Sequence, residues 1–426
     1  MKTMTSRERV RAALHHQQPD RVPLDLGSTP VTGIHFATYT RLRRALGLAD
    51  APVKIGEPYQ MLASVEADVA DKLGVDTAAV QLPNTIFGFP NQNWKSYVHY
   101  DGMPALVSEF FNYTTDANGD RLIYPNGDRS APPCARMPKD GDFFDAIVRQ
   151  DPRAEEHLDP REFVKDQISP YTEAQLGYLQ QQADDLYRST DKSLVGWWAQ
   201  GALGDIALVP GLNAAYPKGI RDPQRWYEML AERPDYVKEV FALQTEIACE
   251  NLKLYRQAVG DKIDVIAISG TDFGTQRGPF CSPAMYRGLW KPFHKRMNDW
   301  IHQNTPWKTF YHTCGSVAAF LPDFIEAGVD ILNPVQCSAV GMDAPTLKAK
   351  YGDKLTFWGG GVNTQQTLPF GTAEQIREEV TERIRIFNQD GGFVFNPIHN
   401  IQAKTPTENV VTLFETVAGR KLRVGG

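Results

Sequence analysis

Cysteine is scarce in this chain: five among 426 residues. Cys134, Cys249, Cys281, Cys314 and Cys337 are too few and too scattered for a disulfide framework, so each is a buried hydrophobe, a metal ligand or a reactive thiol. Long apolar runs are lacking as well. No stretch approaches the roughly 18 residues of a membrane helix, and the charged opening from Met1 to Arg9 has no apolar signal core. These absences predict a cytoplasmic protein with no membrane partner. Neither charge sign dominates: 45 Lys and Arg against 51 Asp and Glu give a net charge of -6, which excludes the basic footprint of a nucleic-acid binder. Internal repeats and low-complexity tracts are missing too. What is present is 42% hydrophobic and 23% charged residues, a composition able to bury a large core.

Short β-rich apolar runs recur at 21–26, 77–82, 193–198, 264–269, 308–312, 330–335, 355–359 and 393–397. Helical stretches lie between them. Thr5 to Glu8 and Thr372 to Gln375 fit capping boxes, and Thr405-Pro-Thr-Glu408 adds a proline at the first helical position. Eight apolar strands alternating with amphipathic helices predict an α/β fold, a (β/α)8 TIM barrel forming a single domain over 1–426. Residues from about 85 to 150 break the alternation. They are rich in Gly, Pro, Asn, Asp and aromatics, with turns at Asp116-Ala-Asn-Gly119 and Pro125-Asn-Gly127, and predict a small β-rich insertion after the second strand. Leu176, Leu179, Ala183 and Leu186 then return at helical spacing.

In such a barrel, chemistry is built at the carboxyl ends of the strands. Polar residues collect there. In Tyr311-His312-Thr313-Cys314-Gly315, His312 and Cys314 stand two apart, so both side chains project to one side, and imidazole with thiolate is a zinc-type ligand pair. The plainer reading makes Cys314 a packed small residue and His312 a core histidine. A catalytic zinc keeps three protein ligands and one open position, and the candidates for the third are His399 and, as competitor, Cys337. Asp272 follows the most apolar strand and is either a loop cap or a group that orients a ligand or moves a proton. Arg277 suits a carboxylate clamp or a surface ion pair. Trp198, Gln276, Gln336, Asn363 and Gln402 complete the substrate-binding candidates. Gly359-Gly360-Gly361 lacks the Lys-Ser/Thr of a phosphate loop, leaving close backbone approach or a tight turn.

Taken together, Arg7-Glu-Arg-Val-Arg-Ala-Ala-Leu14, Pro19-Asp-Arg-Val-Pro23, His312-Thr-Cys-Gly315, Asp330-Ile-Leu-Asn-Pro-Val-Gln336, Thr356-Phe-Trp-Gly-Gly360 and Asn396-Pro-Ile-His-Asn-Ile-Gln402 resemble the uroporphyrinogen decarboxylase-like superfamily. The resemblance implies a TIM barrel and one of two chemistries: tetrapyrrole decarboxylation without a cofactor, or zinc-dependent methyl transfer between a corrinoid and a thiol. The decarboxylases carry an Arg-Gln-Ala-Gly-Arg motif after the first strand, where this chain reads Leu24-Asp-Leu-Gly-Ser-Thr-Pro30 without an arginine. Multiple substrate carboxylates would go unpartnered, so uroporphyrinogen is not the expected substrate. The methyltransferases carry His-x-Cys, matched by His312 and Cys314, and a later Pro-x-Cys, replaced here by Pro397-Ile-His399. Losing one thiolate makes the donor set harder and suits an oxygen-bearing substrate or another divalent metal.

The reading that follows is a methyltransferase using zinc or another divalent metal on His312, Cys314 and His399, with His312 and Asp272 as catalytic groups. A corrinoid would be methyl donor or acceptor, held on a partner protein; a small-molecule substrate and self-association into a homo-oligomer complete the expected partners. The alternative enzyme is a carboxy-lyase acting on a small carboxylate through Asp272 and Arg277. A ligand-binding module without catalysis is the third reading, and it would not require an open metal site.

Overall fold

The computed structural model describes residues 3–422. Seven parallel strands form one curled sheet, each pairing with the next in sequence: β1 (Thr77–Val80), β2 (Ser193–Trp197), β3 (Val265–Ser269), β4 (Lys308–His312), β5 (Ile331–Asn333), β6 (Thr356–Trp358) and β7 (Phe393–Val394). The expected eighth, over 21–26, is not a strand. Pro19 precedes it and Pro23, inside it, has no N–H to donate, so only an isolated bridge from Leu24 to Phe395 forms. This segment nonetheless joins the two edges of the sheet. Asp25 N–H donates to the Phe395 carbonyl (2.9 Å), and on the other side Asp76 N–H donates to the Leu24 carbonyl (2.8 Å). The architecture is a TIM-barrel-like curled sheet in place of eight regular strands.

Side-chain alternation divides the core in two. Val195, Val265, Ala267, Phe310, Ile331, Trp358 and Val394 face inward and pack with Val10, Ala13 and Leu14 of helix α1 (Ser6–Leu14), which plugs the amino-terminal end of the sheet. Ile266, Ile268, Tyr311, Leu332 and Phe357 face outward into the larger core under the helices. The capping boxes at Thr5 and Thr372 form as the sequence predicts, each side chain accepting the N–H three residues on. The last helix, Thr407–Ala418, starts later than its motif predicts, with Pro406 at the cap position and no side-chain cap.

Residues 95–146 carry six short strands, but the sheets they build also reach outside 85–150. Val53–Glu57 pairs with Pro104–Val107 and with Leu62–Ala63, so residues on both sides of β1 contribute. Among the described residues no helix is long and apolar enough to cross a membrane.

Candidate metal and substrate site

Strand β4 places Phe310 and His312 on the inner face, and its register opposite β5 sets His312 beside Asn333. Asn333 donates its Nδ2 to the Trp358 carbonyl (2.8 Å), which leaves Oδ1 to accept from His312 Nδ1 at 2.6 Å. The imidazole proton is thereby held on Nδ1, and Nε2 presents its lone pair 3.4 Å from the Cys314 Sγ. His399, beyond β7, brings its ring centroid within 5.6 Å of that of His312. One ligand atom from each of His312, Cys314 and His399 lies within 4.8 Å of the others.

This cluster depends on two loops in backbone contact. Gly315 has φ +85°, and a Cβ there would sit 2.3 Å from the Gly274 carbonyl carbon, so neither loop could approach so closely with a side chain at this position. Ser316 N–H donates to the Thr275 carbonyl (2.8 Å), and Cys314 N–H donates to Asp272 Oδ1 (2.6 Å). From the next strand end Gln336 Oε1 accepts the Gly315 N–H at 2.7 Å. Three strand ends thus fix the thiol.

Burial holds His312 and His399 down at about 4, the neutral form that binds metals. It raises the Cys314 thiol well above its usual range, and the carboxylate of Asp272 adds to the rise. Burial also raises Asp272, and it lifts Asp205 to about 7 with help from the Asp272 charge. The donors fit a divalent cation. Tetrahedral zinc, with Zn–S of about 2.3 Å and Zn–N of about 2.0–2.1 Å, separates its sulfur and nitrogen ligands by about 3.5 Å, close to the spacing of Cys314 and His312.

A cavity of about 480 Å³ opens over these atoms, lined by Cys314 and His399 together with Gln276, Gln336 and Gln402. Asp272 stands behind Cys314. Other candidates fall outside. Trp198 belongs to the outer core, because strand alternation gives the inner face to Val195 and Trp197 instead. Arg277 is exposed on the Thr275–Gly278 turn, outside the lining. Asn363 caps a turn, its Oδ1 accepting from the N–H groups of Gln365 and Gln366, while Thr364 and Gln365 reach the cavity. Cys337 packs against the outer core, its thiol pushed up to about 11 by burial, and does not join the three clustered ligands. Gly359 and Gly360 form the tight turn, with φ of +96° and +80°. Asn333 and Asp205 were not foreseen. Asn333 was detectable, since it shares the inner register of Ile331 two residues earlier; Asp205, in an irregular segment after β2, carries no periodic signal.

Residues 213–420 match the family model described as Uroporphyrinogen decarboxylase (URO-D). A uroporphyrinogen decarboxylase of Psychromonas ingrahamii is 34% identical over 77 residues, 17% of this chain and 21% of that protein. One of Coxiella burnetii is 32% identical over 85 residues, 19% of this chain and 23% of that protein. The chain thus spans only about a fifth of the length of the curated relatives it matches. In structure it is similar to a methyltransferase from Methanosarcina mazei, with a TM-score of 0.52 at 18% identity, covering 98% of this chain and 99% of that one. At that identity the likeness is one of fold.

Proposed function

Because the chain belongs to the uroporphyrinogen decarboxylase-like superfamily, we propose that it is a methyltransferase that uses zinc or another divalent metal. The observation that carries this reading is the convergence of His312, Cys314 and His399 with all three ligand atoms within 4.8 Å. Three protein ligands leave a fourth position open, and a metal held there would lower the pKa of a bound acceptor and so make it a nucleophile. The chain's own residues prepare that position. Asn333 fixes the His312 tautomer, Gln336 and Asp272 hold the Cys314 loop by its backbone N–H groups, and Asp272, hydrogen-bonded to the Cys314 side chain as well, is the carboxylate to which the thiol's proton would pass when a metal binds. A methylcorrinoid on a partner protein is the proposed donor. The cavity, at about 480 Å³, takes a small acceptor.

The named relatives, both uroporphyrinogen decarboxylases, favour a second reading, a carboxy-lyase, which in this chain would act on a small carboxylate. It is weaker because Arg277, its clamp for the substrate anion, stands on an exposed turn outside the cavity. The test uses methylcobalamin as donor with panels of thiols and alcohols as acceptors. The expected result is a metal-dependent change in the cobalamin spectrum with methylation of one acceptor class. Release of carbon dioxide from a small carboxylic acid, with no methyl transfer to any acceptor, would replace this reading by the lyase.

A further inference from the structure

The cavity over the ligand cluster has an unusual chemistry. Among the described residues that line it there is no Lys, Arg, Asp or Glu; its polar heads beyond Cys314 and His399 are amides and hydroxyls. Four are glutamines. Gln336 spends its Oε1 on the Gly315 N–H, which leaves its Nε2 as a donor without a hydrogen-bond partner among the described residues. Gln402 donates its Nε2 to the Asn400 carbonyl (3.0 Å), leaving Oε1 to accept. Gln276 donates to Gln365 Oε1 (3.1 Å), which frees an acceptor on the first and a donor on the second. The site therefore offers donors and acceptors together, with no full charge among them.

Away from the ligand cluster, whose metal would take the reacting end of the substrate, the nearest acidic groups are of the wrong sign for an anionic head. Asp272 lies behind Cys314, and Asp205 approaches the same strand end, its Oδ2 only 3.1 Å from where a Cβ on Gly270 would sit. A carboxylate or sulfonate head entering the cavity would give up its water for neutral amides beside two acidic groups, a desolvation without a paired cation. An ammonium head would find no carboxylate in the lining either. A hydroxyl, ether or amide finds both a donor and an acceptor.

We propose that the substrate held over the cluster carries an uncharged oxygen-bearing head, an alcohol, ether or amide, that is recognised by Gln336 and Gln402. This rests on the reading that its reacting end lies at His312, Cys314 and His399. The test compares three two-carbon thiols, mercaptoethanol, thioglycolate and cysteamine, by calorimetry on the metal-loaded full chain. Mercaptoethanol is expected to bind at least about tenfold more tightly than either charged thiol, because amide sites discriminate through the groups they leave unpaired. Equal or tighter binding of thioglycolate or cysteamine would overturn the proposal. Gln336→Arg should shift preference toward thioglycolate by about tenfold through a charge-assisted pair; unchanged preference would show that the head does not reach Gln336 and would overturn it too. Titration of the metal-free chain with butyramide, butyrate and butylamine, followed by NMR, separates this proposal from the metal reading. A preference for butyramide there supports the neutral head even where the chain takes up no metal, and a preference for butyrate or butylamine contradicts it.

Discussion

The two ends of the curled sheet hold opposite kinds of polar chemistry. At the amino-terminal end carboxylates stand just before the strands and each is paired. Asp76 is fully buried and takes Arg9 (2.7 Å), both Nη groups of Arg21 (2.7 and 2.8 Å) and the Leu24 N–H (2.9 Å). Asp264 takes Arg11 and the Ser193 hydroxyl, and Asp330 takes Lys308 and the Thr309 backbone. At the carboxyl-terminal end Asp272 takes the backbone N–H and the thiol of Cys314 and Asp205 takes the Ala207 N–H, neither in an ion pair among the described residues, and the clustered nitrogens and sulfur of His312, Cys314 and His399 converge on one point. The lesson is one of division. Satisfied charge closes the barrel at one end, and donors left without a cation at the other are available to a ligand.

The sharpest way to break that contrast is to strike the paired end. Asp76→Ala leaves the buried Arg9 guanidinium without its inner partner and frees Leu24, the residue that joins the sheet edges. It should cost about 3–5 kcal/mol, as truncating one partner of a buried ion pair does, read as a lowered midpoint in urea unfolding. A change below about 0.5 kcal/mol, the scale of an ordinary surface substitution, would show that this cluster does not hold the closure.

How much of this was visible beforehand follows the same division. The seven strands that formed are runs whose apolar residues satisfy both faces, and the segment at 21–26 fell short because Pro23 cannot donate and the Asp76 carboxylate receives the Leu24 N–H where a strand neighbour would. The pairing of His312 with Cys314 was legible from the two-residue period of a strand. His399 was legible as a polar residue at the last strand end, in competition with Cys337, and family resemblance favoured it because nothing local connects Pro397-Ile-His399 to β4. Trp198 misled because a Trp pair offers two faces and only the register of Val195 selects between them. The sheet from 53–63 was hidden, its strands being too short and too mixed in polarity to stand out from loop.

A smaller effect sharpens the other side of the comparison. Asn333→Ala removes the acceptor of His312 Nδ1 and frees the ring to change tautomer or turn. Metal affinity should fall about 10- to 100-fold, the usual cost of losing a partner that orients a ligand histidine, measured by competition with a chromophoric chelator. Unchanged affinity would mean that Asn333 supports the strand alone.

The smallest effect concerns acid. The hydrogen bonds from Arg9, first among its causes, hold the Asp20 carboxyl down to about 2. A depressed folded-state value means that its contribution is present above the unfolded value of about 4 and is lost as pH falls toward about 2. Asp20→Asn should therefore be less stable than the native chain at pH above about 4, with the gap closing through that window. A gap that is constant with pH would remove the titrating carboxylate from the account.

The central claim is that His312, Cys314 and His399 form a metal site independent of the paired end, and metal content measured beside stability tests it most directly. After loading and desalting, the native chain and Cys337→Ser should each retain about one divalent metal per chain. Cys314→Ser and His399→Ala should lose it while their metal-free forms unfold at nearly the native urea midpoint. Retention below about a tenth of an equivalent by the native chain, or loss in Cys337→Ser with retention in His399→Ala, would contradict the assignment.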